Sequence, residues 1–167
     1  RNTVDGGHAV YINTTAGFTM EGGTVTQEST YSSSAAIYSN SRETPISISG
    51  GEVESKSMGV YAAFAPVSVT GGTFQTESYA LWTRHATIDP ADGNTVSVTS
   101  RGAVFYTFSE SENKIVDGNF TAPVLTKSYT QNDQPSILAE QMKRLDSGID
   151  AQGDGHAQLF GGFRRHL

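Results

Sequence analysis

An aromatic residue recurs at Tyr11, Tyr38, Tyr61, Trp82 and Phe105, each directly after a small residue and a branched aliphatic. The triplets read Ala9-Val10-Tyr11, Ala36-Ile37-Tyr38, Gly59-Val60-Tyr61, Ala80-Leu81-Trp82 and Ala103-Val104-Phe105. Rings that recur once per repeat could stack on a sugar or on a partner protein. Strand alternation leaves two placements open. If the aliphatics point inward, the rings form an outward strip. If the rings point inward, the Ala or Gly two residues earlier makes room for them, and the smallness of that position favours this interior placement. Arg84, His85 and Asp89 follow Trp82 within a few residues. A cationic pair beside an indole could grip an acidic sugar, although a solvated loop also accounts for them. Tyr38, Tyr61, Trp82, Arg84, His85 and Asp89 are therefore the candidate ligand-binding residues.

Other chemistry is thinner. Glu28, Lys56 and Glu77 recur at one offset past a glycine pair. Two carboxylates on neighbouring coils could serve as a glycosidase's acid and base. A lysine between them reads instead as relief of like-charge repulsion. No G-x-S-x-G elbow is present, and no catalytic residue is assigned. The stretch Asp150–Gly155 has acids and a glycine at some positions of a calcium loop, but Gly161 stands where the bidentate Glu belongs. No metal or cofactor is expected. Asn13-Thr14-Thr15 and Asn119-Phe120-Thr121 are glycosylation sequons.

Composition bounds the setting. The chain has 167 residues, a formal net charge of -6 and no cysteine. An acidic balance disfavours nucleic acid as a partner, because phosphate recognition needs basic patches. Without cysteine there is neither a disulfide framework nor a thiolate metal site. No apolar run reaches the ~20 residues that span a bilayer.

What must position these residues is a repeat. A glycine pair followed by a β-former recurs as Gly22-Gly23-Thr24-Val25, Gly50-Gly51-Glu52-Val53 and Gly71-Gly72-Thr73-Phe74. Asp117-Gly118-Asn119-Phe120 is a degenerate copy, and Asp92-Gly93-Asn94 takes the matching place in the remaining repeat, with Val96 as its late β-former. Ahead of the glycines, Met20, Ile48, Val69 and Ile115 form one apolar row; Phe18, Ile46, Val67 and Ile88 form another. Thr19, Ser47 and Ser68 lie between them, the alternation of a half-buried strand. A unit of this length cannot bury its own apolar face, so copies must stack. The prediction is an all-β, right-handed parallel β-helix of about five coils over residues 1–129. Val25, Val53, Phe74 and Phe120 should share one interior ladder. Thr3–Gly7 reads as the last strand of a preceding coil, so the rod is expected to be incomplete at that end.

After Tyr129 the repeat stops, and residues 130–167 form a second segment. Pro135 suits the first turn of a helix, and Ile137, Leu138, Met142 and Leu145 make an apolar stripe ending near Gly148. This segment is expected to cap the last coil or to connect onward.

The GG-x-[VF] corner and the [AG]-[VIL]-[YWF] strand resemble the β-helix repeats of bacterial cell-surface and adhesin-type proteins, including some autotransporter passengers and Gram-positive surface proteins. The resemblance covers roughly residues 3–129. It implies an extracellular or cell-surface module whose solenoid presents a face to a glycan or a host or cell-surface protein, without membrane insertion. The alternatives are a polysaccharide-processing β-helix enzyme and a purely structural stalk.

Overall fold

The computed structural model describes residues 1–106 and 112–122. The expected helix over 135–147, the second segment and the Asp150–Gly155 loop lie outside the described residues. Within them the chain is all-β, a parallel β-solenoid of five coils with three strands each. The first coil holds β1 (His8–Ile12), β2 (Phe18–Met20) and β3 (Thr24–Gln27). The second holds β4 (Ala35–Ser39), β5 (Ile46–Ile48) and β6 (Glu52–Ser55). The third holds β7 (Met58–Ala62), β8 (Val67–Val69) and β9 (Gly72–Thr76). The fourth holds β10 (Tyr79–Thr83), β11 (Ala86–Ile88) and β12 (Val96–Ser100), and the fifth β13 (Ala103–Tyr106), β14 (Lys114–Ile115) and β15 (Asn119–Thr121). Equivalent strands pair in parallel into three sheets, β1-β4-β7-β10-β13, β2-β5-β8-β11-β14 and β3-β6-β9-β12-β15.

Each sheet contributes a ladder to one continuous core. The first supplies Val10, Ile37, Val60, Leu81 and Phe105. The second supplies Met20, Ile48, Val69, Ile88 and Ile115. The third supplies Val25, Val53, Phe74, Val98 and Phe120. Among the described residues, the partly buried apolar side chains packed against this core are Val10, Phe18 and Val25, all in the first coil. Each full rung removes one apolar side chain from water, worth about 1.5–3 kcal/mol.

Register corrects the sequence reading in three places. Ile88 stacks on Val69, while Ala86 stacks on Val67 in the row assigned to Ile88. In the fourth coil Val98, not Val96, continues the third-sheet ladder, and Val96 lies beside Gly72. The turn there is longer than a glycine pair: Gly93 takes the positive φ, and Thr95 accepts a bond from the Gly72 N–H at 3.0 Å. In the fifth coil Phe105 pairs with Leu81 and Tyr106 with Trp82, so the aromatic motif is shifted by one.

The corners use two devices. The second glycine of a pair needs a left-handed backbone, as at Gly51 (φ 89°) and Gly72 (φ 106°). In the second and third coils the first sits too close to the coil below for a side chain: a Cβ on Gly50 would strike the Glu21 carbonyl and one on Gly71 the Ser49 carbonyl. The remaining corners use hydroxyls and amides at strand ends, which accept the N–H two residues on. Ser55 does so for Ser57 at 3.0 Å, and Thr83 for His85 at 3.1 Å. Buried Asn113 accepts the Ala86 N–H and donates to the Thr83 carbonyl, both at 2.8 Å, fastening the fifth coil to the fourth. The abundance of Ser, Thr and Gly is thus the chemistry of closely stacked corners. Ahead of the first coil Asn2 bridges Gln27 in parallel, in the place a further third-sheet strand would occupy.

Candidate functional site

The aromatic residues stand on the outer face of the first sheet. Ile37, Val60, Leu81 and Phe105 fill the core, and alternation turns the next residue outward. The interior placement favoured by the small Ala and Gly is therefore corrected: Tyr38, Tyr61 and Trp82 are half-buried, and Tyr11 is 55% exposed. Phe105 is fully buried, having taken the aliphatic position, and Tyr106 supplies the fifth outward ring. The small residue is buried as well, because Ala36, Ala80 and Val104 join the core beside the aliphatic ladder.

The rings touch in sequence along the rod. Centroids are 5.3 Å apart for Tyr11–Tyr38, 4.8 Å for Tyr38–Tyr61, 5.7 Å for Tyr61–Trp82 and 3.9 Å for Trp82–Tyr106. Three of these four contacts lie within 14° of parallel; Tyr61–Trp82 is tilted at 36°. Strand spacing in a parallel sheet, about 4.8 Å, is close to the spacing of stacked rings, so backbone register alone sets up the column. His8 stacks on Tyr38 at 4.0 Å, and Tyr79 meets Trp82 and Tyr106 edge-on. Burial, with lesser repulsion from neighbouring phenolates, pushes the Tyr38 and Tyr79 hydroxyls above their ordinary value. Burial holds His8 below the usual imidazole range.

Arg84 and His85 lie at the corner between the first and second sheets. Arg84 stacks on Phe64 at 5.0 Å, and Arg42 stacks on the same ring at 4.7 Å. Sequence reading missed Arg42 and Phe64, because corners differ in length from coil to coil and carry no shared offset. His85 Nδ1 lies 3.5 Å from a Glu112 carboxylate oxygen. Both line a groove of about 300 Å³ on the second sheet's outer face, with Pro45, Pro66, Ser47, Ser68, Thr87 and Lys114. Asp89 is exposed just past the other end of β11, four residues beyond His85, so the structure does not join it to the Arg84 corner. The predicted set thus divides: Tyr38, Tyr61 and Trp82 share one face, Arg84 and His85 a corner, and Asp89 stands apart.

Glu28, Lys56 and Glu77 fall on successive coils, since each directly follows the in-register residues Gln27, Ser55 and Thr76. Arg1 pairs with Glu28 at 2.6 Å and Arg101 with Glu77 at 3.0 Å, extending the alternation at both ends. Each exposed pair is worth about 0–1 kcal/mol. Both carboxylates are thereby accounted for as a charge ladder.

No family model, curated protein or solved structure matches the chain.

Proposed function

We propose that this solenoid is a non-enzymatic binding module of the extracellular or cell-surface kind, and that the aromatic column is its binding face. The observation that carries this reading is the unbroken outward run Tyr11–Tyr38–Tyr61–Trp82–Tyr106, partly open to solvent along a rigid sheet. Tyr and Trp are enriched where proteins meet, because they join apolar area to a polar tip at small entropic cost. The ring faces largely cover one another, so the column offers edges and phenol hydroxyls. Edges and hydroxyls suit a partner protein better than a sugar ring, which needs an open aromatic face. The same mutual stacking favours a second reading, in which the column only stiffens a stalk.

Adhesion separates the two. Beads coated with the full chain should adhere to cultured cells, and protease treatment of those cells should abolish adhesion. The Tyr38→Phe, Tyr61→Phe double variant keeps the stack and removes two hydroxyls. Under the binding reading it loses adhesion at an unchanged unfolding temperature. If adhesion is absent from the parent, or persists in the variant, the stalk reading stands.

A further inference from the structure

The column and the core differ in the chemistry of their rings. Phe74, Phe105 and Phe120 fill the interior ladders, whereas the five outward positions hold Tyr11, Tyr38, Tyr61, Trp82 and Tyr106. Tyr79 joins them edge-on, 5.7 Å from Trp82 and 5.3 Å from Tyr106. Five of the six described tyrosines and the chain's single tryptophan thus form one connected set, and Tyr31 stands outside it. Phenol and indole rings give up one electron to oxidants that leave a phenylalanine ring untouched. The phenol also releases its proton, so its oxidation ends in a neutral phenoxyl radical.

Electron transfer between rings weakens steeply with separation. The longest centroid step along the column is 5.7 Å, between Tyr61 and Trp82. Sheet register fixes each step, because Tyr11 pairs with Tyr38, Tyr38 with Tyr61, Tyr61 with Trp82 and Trp82 with Tyr106. Trp82 and Tyr11 are three coils apart, about 14 Å by strand spacing. Exposure is graded along that path. Trp82, Tyr61 and Tyr38 are half-buried, as is Tyr106, while Tyr11 is 55% exposed. A phenoxyl radical is favoured where its proton passes freely to water, which makes Tyr11 the resting place of the set.

We propose that the column is a one-electron conduit that carries an oxidising equivalent from Trp82 to Tyr11. The oxidant is a one-electron acceptor from solution, such as a peroxyl radical, which takes an electron from the Trp82 indole and becomes a peroxide anion. Tyr61 returns an electron to the indole and gives its phenol proton to water. Tyr38 then restores Tyr61, and Tyr11 restores Tyr38, each phenol regaining its proton from water as the electron arrives. The net change is one electron from Tyr11 to the oxidant and one proton from Tyr11 to water. A soluble reductant that supplies one electron and one proton returns Tyr11 to the phenol. The activity moves oxidation away from an indole packed on the solenoid to a ring that solution can repair. It does not rest on partner binding by the same column.

The test excites the full chain, in dilute solution, with light that tryptophan absorbs and tyrosine does not. A cobalt(III) ammine serves as the irreversible electron acceptor. A nitroso spin trap followed by peptide mass spectrometry locates the radical. The parent should carry the adduct at Tyr11. In the Tyr38→Phe, Tyr61→Phe variant the rings remain but two carriers are gone, leaving one step of about 14 Å between Trp82 and Tyr11. The Tyr11 adduct should then be lost, with the radical trapped at Trp82 and Tyr106 instead. Tyr31→Phe, off the column, should leave the Tyr11 yield unchanged. Thermal unfolding of each variant confirms that it is folded. Absence of a Tyr11 adduct in the parent overturns the proposal, whatever the variants do. So does an undiminished Tyr11 adduct in the double variant, or an equal loss in Tyr31→Phe.

Discussion

Neighbouring residues on one strand live in two different stacks. Leu81 belongs to the inner ladder of the first sheet and Trp82 to the outer column, and both repeat at the same strand spacing. The inner ladder is closed on all sides by the other two sheets, so its stabilisation comes from removing apolar area from water. The outer column faces away from that core with its rings only partly buried, so it relies on ring-to-ring contact along the rod axis. One backbone periodicity therefore produces a core and a surface feature at once. Regular recurrence in a solenoid sequence does not distinguish between them.

The largest difference should appear on truncating one member of each stack. Leu81→Ala removes a side chain 1% exposed, flanked by Val60 and Phe105, and should cost about 2–5 kcal/mol in urea unfolding. Tyr61→Ala removes a half-buried ring with Tyr38 stacked on one side and Trp82 tilted against the other, and should cost about 1–3 kcal/mol. Equal losses would mean that the column is core in all but position. A loss at Tyr61 within error of zero would mean that its ring contacts add nothing to the fold.

This division bears on what could be read in advance. The ladder residues Val25, Val53, Phe74 and Phe120 were legible because strand and corner keep one offset in those coils. Phe105 was misplaced because Phe105 and Tyr106 are both aromatic, and only the paired neighbours Leu81 and Trp82 decide which faces inward. Val98 was missed because the longer turn around Gly93–Thr95 delays the strand. The Arg42–Phe64–Arg84 stack was illegible for a related reason. Its members follow their column aromatics by four, three and two residues, so no sequence offset relates them. The candidate residues Tyr38, Tyr61 and Trp82 were found as a set, but their outward placement and mutual stacking depend on sheet register.

Alkaline titration sharpens the comparison on a smaller scale, because the column and the adjoining Tyr79 carry ionisable hydroxyls and the inner ladder carries none. The Tyr38 and Tyr79 hydroxyls have folded values above 10.0, so they lose their protons later than in the unfolded chain. Their contribution is present below pH 10.0 and is lost as pH rises toward the folded values. Unfolding free energy should fall by on the order of 1 kcal/mol across that window, discounted because both rings are partly exposed. Ultraviolet difference titration should show these two tyrosines losing their protons above the ordinary value of 10.0. If Tyr38 and Tyr79 titrate at 10.0 or below, their rings are better solvated than their packing implies.

The acidic side gives the smallest effect. His8 lies over Tyr38, and its Nδ1 accepts the Ala35 N–H at 3.2 Å, a contact that requires that nitrogen to be unprotonated. Its folded value is below 6.5 because burial disfavours the charged ring. Below pH 6.5 the unfolded chain therefore takes up a proton before the folded one does. Stability should be full above pH 6.5 and decline, by less than about 1 kcal/mol, as pH falls toward the folded value. Nuclear magnetic resonance of the His8 ring protons gives the folded value directly, and His8→Gln should flatten this part of the stability profile. Should His8 titrate at or above 6.5, its ring must be resting against the column rather than held in it, and the ordered stack would begin at Tyr38.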